Sequence, residues 1–162
     1  MKLNTLIAAI LLATASSAVQ AHDYINQVAQ ARDSLVQAKK VFGSIACEMT
    51  QTDRHNNMAT CVFASAVDNA LMWIDEIKPS DSNEEAKRKI NNALMAMGSH
   101  DDEFKEAWNS PRVKPRRRDF AIADTLSTNV MGYLGLLFID PKVKERPVPT
   151  WESVTKRLEQ DK

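Results

Sequence analysis

Glycine is scarce in this chain, with four residues in 162. Tight functional loops lean on glycine, because only a residue without Cβ enters left-handed backbone at no steric cost. The motifs built on such loops are missing too: there is no glycine-rich phosphate loop and no Gly-x-Ser-x-Gly nucleophile elbow. Cysteine is limited to Cys47 and Cys61, too far apart for a Cys-x-x-Cys redox pair, and no Cys-x-x-Cys-His haem-attachment motif occurs. Histidine stops at three, His22, His55 and His100, and no zinc-protease pattern joins them. A charge surplus is absent as well, since 21 basic residues face 21 acidic ones. A balanced total gives no bulk attraction for nucleic acid. These shortages argue against an enzyme and against a resident metal or cofactor.

Two weaker arrangements remain. Met95, Met97 and His100 are residue types that suit a soft metal. Two positions apart on a helix, however, the methionines point about 200° away from each other. Asp68 and Asp75 share a helix face, but their spacing of about 10 Å along the axis is too wide for direct acid–base partnership.

Long apolar runs are also rare; the clearest stands at the N-terminus. Lys2 precedes Leu3 to Ala15, which only Asn4, Thr5 and Thr14 interrupt, and small residues then lead to Ala18-Val19-Gln20-Ala21. That order is the pattern of a secretory signal, with small side chains one and three positions before the cut. Cleavage is expected before His22, with a cut after Ala18 as second choice. The apolar core of about a dozen residues is short of the roughly 20 a spanning helix needs. Residues 120–139 come closest to a second run, but Asp124, Thr125, Ser127, Thr128 and Asn129 sit inside them. The expectation is a signal peptide at 1–21 and one domain at 22–162, exported to the periplasm and without a membrane span.

Export changes the reading of the cysteines. In an oxidising compartment an even count points to a disulfide, and Cys47–Cys61 is the one intrachain pairing available. A loop of that size stabilises by about 3 kcal/mol in the chain-entropy account.

The apolar spacing is helical almost throughout. Tyr24, Val28, Ala31, Leu35, Ala38, Phe42, Ile45 and Met49 step by three and four, predicting a helix from about 23 to 50 that Gly43 can bend or end. Residues 51–57 are polar and read as a connection. A second helix over 58–77 carries Ala59, Val62, Phe63, Ala66, Ala70, Trp73 and Ile77 on one stripe, and Pro79 stops it. Ser82 with Glu85 forms a capping-box pattern for a third helix, whose buried face is Ala86, Ile90, Ala93, Leu94 and Met97 before Gly98. Ser99 and Asp102 can cap a short fourth helix bearing Phe104, Ala107 and Trp108. The fifth runs from Asp119 to about Ile139 on Phe120, Ala123, Leu126, Val130, Leu134 and Leu137. Residues 141–149, with three prolines, read as an extended linker to a last helix that Thr150 caps and that docks through Trp151, Val154 and Leu158. No stretch alternates with the two-residue period of a strand. The fold class is therefore an all-α, single-domain bundle of four or five main helices. One helix pair is stapled by the disulfide. Cys47 and Cys61 fall off their stripes, so the staple sits on the outer flank of the pair, unless the first helix breaks at Gly43.

Arg112, Lys114, Arg116, Arg117 and Arg118 are the strongest local charge signal. Guanidinium forks suit the phosphates of anionic lipid or an acidic partner. The alternative is a solvated loop pairing with Asp101, Asp102, Glu103 and Glu106 just upstream. In its signal peptide, helical build and cysteine pair, the chain resembles the small exported immunity proteins that protect cells from cell-wall amidases of type VI secretion. The resemblance carries no residue roles with it. It implies a non-enzymatic, toxin-neutralising interaction module with a protein partner in the periplasm. The alternative is a helical bundle that binds a metal, haem or an anionic headgroup.

Overall fold

The stripe from Tyr24 to Ile45 is buried at every predicted position, and it lies along a helix longer than its spacing required. A computed structural model of the chain describes the backbone of residues 3–46, 54–98 and 101–160 and the side chains of 24–45, 61–98 and 104–160. Among these the α-helices are α1 (Leu3–Ala46), α2 (Arg54–Asp75), α3 (Asn83–Met97), α4 (Asp101–Asn109), α5 (Arg117–Leu136) and α6 (Trp151–Gln160), with no strand. α1 runs through the expected cut at Ala21 and through Gly43, which neither ends nor interrupts it. Cys47, and with it the staple, lies outside the described residues, as do Met49, Ser99 and His100, and of His55 the backbone alone is described. No described helix is long and apolar enough to cross a membrane.

α1, α2, α3 and α5 pack in a ring, each against the next, and α5 closes the ring on α1. α4 covers one end of α2, and α6 lies along α5. α2 therefore meets three helices, and its buried face is broader than one stripe. Val67, Leu71 and Ile74 are buried beside Phe63, Ala66 and Ala70, whereas Trp73 and Ile77 come to rest half-buried at the edge. α5 is the central element, buried at all six expected positions and also at Ile122, Ser127, Met131 and Tyr133. It starts at Arg117, two residues ahead of the expected Asp119. The 3₁₀ turn Lys114–Arg116, opened by Pro115, already winds the chain in the helical sense.

Four of the five phenylalanines meet at one end of the ring. Phe120 of α5 sits 5.5 Å from Phe42 of α1, 5.5 Å from Phe63 of α2 and 5.4 Å from Phe104 of α4, centroid to centroid. The fifth, Phe138, meets Tyr24 edge-on at 5.2 Å near the other end. The Phe120 pairs join different helices, so those rings fix helix positions as well as burying area.

The turn between α2 and α3 is held by a polar knot that apolar spacing cannot reveal. Ser82 caps α3 as expected, its Oγ accepting the Glu85 N–H at 3.2 Å, and Gly98 ends the helix with φ of 62°. Lys89, beside the Ile90 stripe position, is buried. Its ammonium donates to Asp81 Oδ2 and to the Glu76 carbonyl, both at 2.7 Å. Asp81 Oδ2 also accepts the Lys78 N–H at 2.9 Å, and the Tyr24 hydroxyl donates to the Asp81 carbonyl at 3.0 Å. The hydrogen bond from Lys89, helped by that from Lys78, holds the Asp81 carboxyl below the usual aspartate range.

Residues 141–149 are a packed strap rather than a loose linker. Pro141–Val143 form a 3₁₀ turn capped by Asp140, and Val143 and Val148 are buried. Two side chains of α1 clip the strap: Gln27 Nε2 donates to the Lys144 carbonyl at 2.7 Å and Ser34 Oγ to the Pro149 carbonyl at 2.8 Å. Proline lacks an N–H, so a Pro-rich segment is tied down through its carbonyls. Thr150 and Ser153 then cap α6 reciprocally, each hydroxyl accepting the other's N–H at 3.3 and 3.0 Å. Val154 is buried, with Trp151 and Leu158 packed beside it, which docks α6 as its spacing predicted.

Candidate functional site

The basic run does not form one patch. Arg116 donates from Nε and Nη2 to Asp119 Oδ2, at 3.3 and 3.2 Å, and from Nη1 to Ser44 Oγ of α1 at 3.0 Å. Arg117 donates to the Trp108 carbonyl of α4 at 3.0 Å, and its guanidinium carbon lies 5.0 Å from the centroid of that indole. Arg118 pairs with Glu159 of α6. Successive positions on a helix start point about 100° apart, so three arginines in a row reach three different neighbours. Arg112 is half-buried and Lys114 exposed. The run acts largely as fasteners between elements, and its paired members are Asp119 and Glu159 rather than the upstream acidic stretch alone.

The fasteners differ in worth. Arg118→Ala is expected to cost under about 1 kcal/mol, because both partners of that ion pair are more than half exposed to solvent and well screened. Arg117→Ala is expected to cost about 1–3 kcal/mol, since it removes a charge-assisted bond to a carbonyl and a cation–π contact together. Urea unfolding of the two variants at one pH and salt concentration checks the order.

The two helix-face carboxylates are also fasteners. Asp68 pairs with Lys39 and Asp75 with Arg32, so both lace α2 to α1. Met95 is exposed while Met97 is half-buried, which separates the two thioethers as the helix geometry required. No cluster of three or more His, Cys, Asp or Glu placed to hold a metal occurs among the described residues.

A different place gathers unspent charge. A cleft of about 480 Å³ opens where α5, the strap and the start of α6 meet. Its walls are Tyr133, Leu136, Val143, Val148 and Val154, with Asn129, Thr150 and Ser153 as the uncharged polar members. Arg146 of the strap and Arg157 of α6 are its only charged lining residues among those described, and both are exposed. Neither forms an ion pair with a described residue. The Tyr133 hydroxyl stands 3.5 Å from the Arg146 carbonyl, at the outer limit of a hydrogen bond, and burial pushes its pKa up, so it stays a protonated donor. Leu136, 47% exposed, is the apolar wall residue open to solvent, while Ile139, 65% exposed, lines a separate groove beside α3.

Sequence spacing missed this site because Arg146 and Arg157 belong to separate elements. The one local hint is the polar row Thr150, Ser153 and Arg157, spaced three and four apart beside the apolar row of α6. No known protein family, curated protein or solved structure matches the chain.

Proposed function

We propose that this chain is an exported, non-enzymatic interaction module that works in the periplasm and recognises an anionic surface of another protein through the Arg146–Arg157 cleft. Toxin neutralisation, as in immunity-type proteins, is a task of that kind. One observation carries the reading: two arginines with no ion pair to a described residue stand over an apolar cleft with no acid among its described lining. Interface anchors are enriched in Arg and aromatic residues over apolar pockets, and Arg146, Arg157 and Tyr133 supply that combination.

The leader and the staple belong to the same reading. Cys61 shares its helix face with Ser65, Asn69 and Met72, all exposed, which suits a Cys47–Cys61 bond on the outer flank of the α1–α2 pair.

Photocrosslinking in intact cells tests the proposal. A crosslinking residue at Asn129 or Ser153 is expected to trap one envelope protein, the trap is lost in Arg146→Glu/Arg157→Glu, and the protein recovered starts at His22. Equal trapping from Met95, on α3 and outside the cleft lining, would overturn it.

A further inference from the structure

Arg146 and Arg157 stand apart from the other arginines with described contacts. Arg32, Arg88, Arg116 and Arg118 each meet a carboxylate, and Arg117 lies on Trp108. Two guanidinium groups left over at one cleft call for two acceptors from outside. A carboxylate matches the guanidinium fork with two parallel hydrogen bonds. The cleft lining between them is mainly apolar, so an occupant that brought charge alone would leave the exposed Leu136 uncovered. The cleft volume is in the range that holds a ligand of several side chains. Leu136, 47% exposed, is the apolar surface the cleft presents to solvent.

We infer that the cleft takes an extended acidic segment of the partner protein, with carboxylates on Arg146 and Arg157 and an apolar side chain against Leu136. The inference rests on the reading of the cleft as a partner site and adds the chemistry of what enters it. Asn129 is the uncharged polar group beside it that can meet the backbone of such a segment, the Ser153 hydroxyl being engaged in the α6 cap. Its specificity is for charge and spacing together: an acidic segment without apolar residues, or an apolar one without carboxylates, fills half of the site.

The test is an amide NMR titration of the full mature protein with a short capped peptide of alternating aspartate and leucine. Saturable shifts are expected at Tyr133, Leu136 and the non-proline residues of 146–154. Affinity falls by about tenfold or more in Arg146→Glu and in Arg157→Glu. It is lost when the aspartates become asparagines. Because both arginines are exposed, the variants keep their melting temperatures, which separates lost binding from lost folding. Inorganic phosphate and phosphatidylglycerol vesicles run in parallel. Phosphate that shifts the same amides and displaces the peptide would make this a small-anion site and overturn the proposal. Vesicle binding that needs both arginines, with a silent peptide, would assign it to a lipid headgroup and overturn it as well. If the peptide is silent while cleft crosslinking to a partner persists, the acidic-segment inference fails and the broader partner reading stands.

Discussion

Replacing Lys89 by methionine is expected to lower stability by about 3–5 kcal/mol at neutral pH, the scale for removing one partner of a buried ion pair. Only 9% of the Lys89 side chain and 12% of the Asp81 side chain meet solvent, so water cannot replace what is lost. The substitution also strips a donor from the Glu76 carbonyl and loosens the turn on which the Tyr24 hydroxyl rests. The pH dependence identifies the cause. Asp81 has its pKa lowered by folding, so its ionised form contributes stability above the ordinary aspartate value of about 4, and that contribution is lost as pH falls through the lowered one. In the methionine variant the stranded carboxylate is costly at neutral pH and much less so once protonated. The gap between wild type and Lys89→Met therefore narrows on acidification, and Lys89→Met/Asp81→Asn recovers much of the neutral-pH loss. Thermal melts from pH 3 to 7 of the three proteins decide this. A gap independent of pH would assign the loss to packing alone.

Phe120→Ala is expected to cost about 3–5 kcal/mol and to lower the melting temperature by roughly 10–20 °C. The ring is fully buried and is the shared neighbour of Phe42, Phe63 and Phe104, which lie on three other helices. Deleting it leaves a void that rings on separate helices fill only by shifting those helices. Phe120→Leu keeps most of the volume and is expected to cost about 1.5 kcal/mol or less. Denaturant titrations with a common slope check both values. Loss of the Phe104–Trp108 stacking, visible in tryptophan emission, is expected to accompany the alanine variant only.

The parts of the fold that were legible in sequence are those with a local physical signature. The stripes of α1 and α5 recur every three to four residues because one helix face is buried, and each described position of both is in the core. Ser82, Gly98 and Thr150 were readable because caps serve backbone groups within a turn of themselves. Lys89 was not readable. A lysine beside a core stripe normally lies at the surface, and this one is drawn inward by Asp81 and a carbonyl from the preceding turn. The partners of the basic run were hidden for a related reason. Its density suggested a patch, but helical rotation sends Arg116, Arg117 and Arg118 to α1, α4 and α6. The cleft depends on where residues 141–149 cross the bundle, and Gln27 and Ser34 determine that from far up the chain.

Those two clips have a kinetic meaning. They join residues 117 and 115 positions apart, among the most expensive loops this chain can close. Helix formation and the α1–α2 and α2–α3 hairpins need only short closures and run ahead of them. The wall carrying Arg146 and Val148 has its docking site only after α1 and α5 have come together, so it is set in place late. A partially folded chain then holds a near-complete helical ring with no competent cleft. In refolding, far-UV signal is expected to return before binding at the proposed cleft does, the interval being the time the strap takes to find α1.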